Sequence, residues 1–156
     1  MPESYVANAP ADIPDRATLL SMSGMQFVQG MLDGHLPQPA ISALMGYSLH
    51  SAEPGRATFR GAPSFGHTNP LGAVHGGWYG TLLDSALGCA VMTIVPKGKW
   101  YTTLEYKVNL VRALPLGMMV EVEGIVDHAG RSTAVAHATL RGVGDQRIYA
   151  TGSTTC

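Results

Sequence analysis

The run Trp78–Val95 constrains the chain more than any other stretch. It is about 18 residues of almost unbroken apolar sequence, roughly 27 Å if helical, and it ends against Pro96. Apolar residues fall on nearly every side of the helix, which requires burial on most sides rather than a place on the surface. One narrow stripe departs from this. Gly77, Thr81, Asp84, Ser85 and Gly88 share a face at helical spacing. Asp84 is the only charged residue between His75 and Lys97. A carboxylate in such a setting is costly unless it is hydrogen-bonded or used. A structural Asp satisfied by a neighbouring hydroxyl or amide is the plain alternative to a functional one. Ahead of the run stand Asn69-Pro70-Leu71-Gly72, which is turn chemistry, and His75-Gly76-Gly77. Two glycines at a helix start leave backbone N–H groups uncovered by side chains. Those groups form a cradle for a developing oxyanion.

Bulk composition narrows the classes. At 156 residues the chain makes one domain with room for a full core. Net charge is −1 and 13 % of residues are charged, which excludes the basic stripe of a nucleic-acid binder. With 46 % hydrophobic residues, part of the surface is expected to be covered by other subunits. Cys89 and Cys156 have no metal or redox spacing. Cys89 reads as a small core residue and Cys156 as a free terminal thiol. The six histidines show no ligand spacing, so no metal is expected. No basic region followed by an apolar core opens the chain, and Asp84 and its glycines make the central run a poor membrane span. The expected location is the cytoplasm, with no membrane partner.

Taken in order, residues 1–14 carry three prolines and no period, and read as a flexible arm. The single domain then covers 15–156. It starts with a helix over 15–34, capped at Thr18 and stopped by Gly34 and Pro37. Its methionines are packing residues. Leu44–Ser51 and Arg56–Gly61 read as strands around the turn Glu53-Pro54-Gly55. The long helix follows over Gly76–Val95, and Pro96–Lys99 is a loop whose lysines are either solvated or phosphate-facing. Four strands close the chain: Tyr101–Arg112, Met118–Asp127, Ser132–Arg141 and Gln146–Ser153. In the first of these, Leu104, Tyr106, Val108 and Leu110 alternate against Thr103, Glu105, Lys107 and Asn109. A long apolar helix wrapped by an antiparallel sheet is an α+β arrangement.

The pattern Asn69–Gly77 followed by Asp84 resembles the hotdog-fold acyl-CoA thioesterases, within them the PaaI-type branch of the 4-hydroxybenzoyl-CoA thioesterase superfamily. The likeness extends more weakly from Leu44 to Thr154. It implies a hotdog fold with an extra N-terminal helix, in which Phe27 and Met31 flank the acyl pocket. It implies hydrolysis of a CoA thioester with an aromatic or medium-chain acyl group. The catalytic set would be Asp84 as base or nucleophile, the Gly76 amide as oxyanion donor, Asn69 to orient carbonyl or water, and Thr103 to assist the acid, with Thr102 as its alternative. His75 would act directly or fix the loop, and His67 would anchor it. Gly77, Thr102, Arg112, Gly130 and Arg131 would meet the substrate and CoA, which is part of the substrate, so no separate cofactor is implied. Gly76 and Asp84 lie eight residues apart, roughly 12 Å along a helix. They cannot both reach one carbonyl carbon from the same chain, so if both act on one substrate, two chains must supply them. The resemblance agrees: a homodimer is the minimal active unit and a homotetramer the assembly. Trp78-Tyr79 is bulkier than the family pattern, narrowing the site or filling an interface. A hotdog dehydratase or hydratase and a non-catalytic acyl-CoA sensor are the alternatives.

Overall fold

The computed structural model describes residues 5–156. After the N-terminal segment come α1 (Arg16–Leu20), α2 (Gly24–Leu32) and α3 (Ala40–Met45), then β1 (Tyr47–Glu53), β2 (Arg56–Gly61), the long α4 (Gly76–Met92), β3 (Glu105–Leu110), β4 (Val120–Ala129), β5 (Ala134–Gly142) and β6 (Ile148–Thr155). The strands form one antiparallel sheet in the order β1-β2-β4-β5-β6-β3. The sheet wraps α4, as the sequence pattern requires. Leu82, Leu83, Ala86, Leu87 and Ala90 of α4 are fully buried, against Val120, Val122, Ala136 and Leu140 of the sheet. Each large side chain so buried stabilises the fold by about 1.5–3 kcal/mol. On the outer face, Arg60 pairs with Glu121 at 2.7 Å and Arg56 with Glu123 at 2.8 Å, ties that agree with the β2–β4 register. Among the described residues, no helix is long and apolar enough to cross a membrane.

Several elements differ from the sequence reading. The expected arm at 1–14 has its first four residues outside the described part; residues 5–7 pair with Gln38, and residues 8–13 are exposed. Ala7 N–H donates to Gln38 O at 2.9 Å, Gln38 N–H donates to Tyr5 O at 2.8 Å, and Ala7 is buried. The single helix over 15–34 is two. Asp15, not Thr18, caps α1, and Ser23 starts α2 with a capping box to Gln26. The break lets Gly24 approach the end of α4, where its N–H donates to Val95 O at 2.9 Å. That contact takes up a carbonyl just beyond α4. Leu44 belongs to α3 rather than to β1, because Gly46 ends α3 in the left-handed conformation at φ 67°. The strand expected from Tyr101 starts at Glu105, since 101–103 leave the sheet toward α4. The last three strands begin two residues later than expected. β3 is not followed in space by β4. It crosses to the far edge and pairs with β6, which leaves β4-β5-β6 as the meander.

Close helix–sheet contact depends on Gly124 in β4. A Cβ there would come within 2.3 Å of Ala86 O and 2.6 Å of its carbonyl carbon, both backbone atoms that cannot rotate away. Gly124→Ala should therefore force helix and sheet apart. The expected cost is about 1–3 kcal/mol or more, read as a lower midpoint in urea with an unchanged slope. An unchanged midpoint would show that the layers are less tightly fixed.

Candidate active site

The site residues come from α4, from the loop before it and from the segment after it. His75 is the N-cap of α4, and its Nδ1 accepts the Gly77 N–H at 2.8 Å. The two glycines of the cradle are thereby separated in role. Gly77 N–H is taken by the histidine, while Gly76 N–H has no acceptor among the described residues. The loop is held by His67: its Nδ1 accepts from Ser64 N–H at 2.9 Å and its Nε2 meets Leu44 O at 2.8 Å. His67 O in turn accepts from His75 N–H at 2.8 Å. Asn69 turns inward on the same loop, with Oδ1 accepting from Leu71 and Ala73 N–H at 2.9 and 3.2 Å. Its side-chain oxygen is thus engaged in shaping the turn.

Asp84 lies two turns further along α4, half-buried on the polar stripe. Thr103 Oγ1 donates to its Oδ1 at 3.2 Å. Of the two threonines, Thr103 is therefore the one on the acid, and Thr102 faces the neighbouring cleft with Arg131. Burial pushes the Asp84 carboxyl above its ordinary pKa, and the Thr103 hydrogen bond pulls partly against that. Beside Asp84 opens an apolar cavity of about 330 Å³, bordered by Phe27 and Met31 of α2, Leu49, Phe59, Trp100 and Tyr101. Next to Asp84 on its wall, Ser85 Oγ and Tyr47 OH meet at 2.8 Å. Trp100 and Tyr101 also border a second cleft of about 340 Å³, which holds Lys99, Thr102, Gly130 and Arg131.

Not every expected residue meets the others. Arg112 stands at the opposite end of the sheet from Gly130 and Arg131. Its N–H donates to Tyr149 O, whereas the Gly130 turn adjoins Ala134, which pairs with Cys156 at the other end of β6. Within one chain, Gly76 and Asp84 remain about two turns apart, roughly 12 Å. Trp78 and Tyr79 are buried in the chain's own core. Trp78 Nε1 donates to Met45 O, and Tyr79 OH accepts the Leu114 N–H, both at 2.8 Å. Neither borders the Asp84 cavity. Both thiols are free of disulfides. Cys156 is free, as expected, and buried; burial raises its thiol and pushes Cys89 up to about 12, so neither is an activated nucleophile. No cluster of metal ligands occurs among the described residues.

Sequence reasoning did not single out Gln38, Trp100 or Tyr101. Gln38 offers only a polar residue between two prolines as a signal. Tyr101 gives none, yet its ring occupies the notch left by Gly88, where a Cβ would come within 2.3 Å of the phenol oxygen.

Comparison with known proteins places this geometry. The family description "Thioesterase superfamily" matches residues 71–149. No curated protein matches the chain. Among solved structures, a conserved protein of Pseudomonas aeruginosa is 30 % identical, over 91 % of this chain and 97 % of that one, at a TM-score of 0.69. A phenylacetic acid degradation-related protein of Ralstonia eutropha JMP134 is 23 % identical, over 83 % and 98 %, at 0.76. The PaaI protein of the Escherichia coli phenylacetic acid degradation operon is 19 % identical, over 87 % and 93 %, at 0.71. The last two likenesses carry the fold, which is the hotdog fold.

Proposed function

Since the chain belongs to the thioesterase superfamily, we propose that it hydrolyses acyl-CoA thioesters in a site built by two copies. Asp84 of one copy and the Gly76 amide of the other would act on one carbonyl. The observation that carries this reading is the half-buried Asp84, held by Thr103 at the mouth of an apolar cavity. The acyl group enters the cavity. The Gly76 N–H, unpaired and at the positive end of a long helix, holds the thioester oxygen as it gains charge. Asp84 either takes a proton from the attacking water or attacks the carbonyl carbon itself, giving an anhydride that water opens. In both routes the C–S bond breaks and CoA leaves as the thiolate, which then takes up a proton. The cleft with Lys99, Gly130 and Arg131 suits the CoA phosphates, and its wall of Trp100 and Tyr101 is shared with the acyl cavity.

A dehydratase would need a histidine facing the acid. His75 spends Nδ1 on the helix cap, which favours a structural role for it. A sensor would have no use for the Asp84 carboxylate.

The two-copy site is supported by β3. It is an edge strand whose outer edge has no partner among the described residues; it exposes Tyr106 and Leu110, and Leu104 just before it is exposed too. An apolar open edge is a pairing surface. It also adjoins the oxyanion donor: a Cβ on Gly76 would come within 3.2 Å of Leu110 Cδ1. Pairing two copies there would bring the start of α4 close to a partner.

Asp84→Asn should lower kcat/KM for CoA esters by about 10²–10⁴-fold while the oligomer survives, measured by product mass. Retained turnover would remove Asp84 from the chemistry. Both routes need the ionised carboxylate, so activity should be lost as pH falls through a pKa raised above the usual carboxylate value. Thr103→Val removes a bond that favours the ionised form. The acid limb of kcat/KM should then move to higher pH, and a shift to lower pH would contradict the role given to Thr103. Leu110→Lys should yield a folded monomer without activity, by light scattering and circular dichroism. A fully active monomer would rule out the shared site.

A further inference from the structure

The cavity beside Asp84 contains a polar group that the proposed hydrolysis leaves unused. Gln38 is 2 % exposed and borders the cavity of about 330 Å³. Its main chain is engaged on both sides, with Tyr5 O and Ala7 N–H. Its side chain is engaged on one side only: Oε1 accepts the Leu49 N–H at 3.1 Å. That donor fixes the orientation of the amide, because only the oxygen can accept. The NH2 end then has no acceptor among the described residues. No sealed side-chain nitrogen or oxygen there lacks a partner, so the NH2 opens onto space, and the cavity is the space that Gln38 borders.

N–H donors with no acceptor among the described residues, in a mainly apolar cavity, are unfavourable, and a methionine would fill nearly the same volume without them. The strap that carries Gln38 is rigidly placed. Pro37 and Pro39 flank it, and residues 5–7 pair with its backbone. Asp84 borders the same cavity, and most of the rest of its lining is apolar, with Phe27, Met31, Leu49 and Phe59 among it. An acyl group that fills this space has an apolar body and meets a hydrogen-bond donor away from its thioester.

We infer that Gln38 is a specificity residue, whose amide donates to an oxygen carried by the acyl group and selects oxygenated acyl chains over plain hydrocarbon ones. The inference rests on the reading that this cavity takes the acyl part of a CoA thioester. A ring hydroxyl and a chain hydroxyl offer the same acceptor, and the substrates tested tell them apart.

The experiment is kcat/KM on two matched pairs: para-hydroxyphenylpropanoyl-CoA against phenylpropanoyl-CoA, and omega-hydroxyoctanoyl-CoA against octanoyl-CoA. Wild type should favour the hydroxylated member of one pair by about tenfold or more, the worth of one well-made hydrogen bond. The pair that shows it identifies the body as aryl or alkyl. In Gln38→Glu, which keeps an acceptor for Leu49 N–H and loses the amide donors, the ratio should fall to one or invert. Gln38→Met should level the ratio likewise, and the wild-type ratios stand even if that variant folds poorly. Ratios near one in both wild-type pairs, or a ratio that survives in Gln38→Glu, would overturn the inference while leaving the thioesterase reading intact. If no ester is hydrolysed, the thioesterase reading fails instead. Calorimetric Kd values for the same pairs then decide on Gln38: a tenfold preference supports it and equal affinities overturn it.

Discussion

The whole arrangement follows from a helix that cannot face water. α4 is apolar on nearly every side, so its burial needs a sheet curved around it rather than a flat layer against one face. The sheet can come close enough only where it carries no side chain. At Gly124 the backbones of helix and sheet are in contact, and a single methyl group there would collide with the Ala86 carbonyl. Close packing of this kind makes the helix a rigid rod, and the residues on it keep fixed separations.

That rigidity bears directly on chemistry. On the stripe Gly77–Gly88, Gly77 and Thr81 border a cleft with Met45 and His67, Ser85 meets Tyr47, Asp84 meets Thr103, and Gly88 is covered by Tyr101. Asp84 is thereby held where burial favours its neutral form and Thr103 favours its charged form. The Gly76 amide and Asp84 sit about two turns apart, roughly 12 Å, a separation that no side-chain rotation closes, which is why the proposed site calls for a second copy. The exposed apolar edge beside Gly76 agrees with that arrangement.

The N-terminal third of the chain has a different part. Ala7, Phe27 and Met31 of α2 and the Pro37-Gln38-Pro39 strap line the Asp84 cavity, while Trp100 and Tyr101 border both that cavity and the cleft of Lys99 and Arg131. The chemistry is thus held by the helix and sheet, and the shape presented to an acyl group by the segments added around them. Polar groups are few in the cavity, so each one, Asp84, Ser85 and Gln38, weighs heavily on what can enter.

Local sequence determined the features that depend on neighbours a few residues apart. These are the long apolar helix, its polar stripe with Asp84, the turn at Asn69 and the strand Arg56–Gly61. Periodicity and turn chemistry express themselves within a few residues of chain, so they are legible without coordinates. Tertiary structure alone decided the rest. β3 lies beside β6 rather than β4, and the helix over 15–34 is broken so that Gly24 can meet Val95. Gln38 and Tyr101 reach the cavity, and Arg112 is carried to the far end from Arg131. Each of these depends on contacts between segments distant in sequence, set by which surfaces must exclude water together, and no local pattern records them.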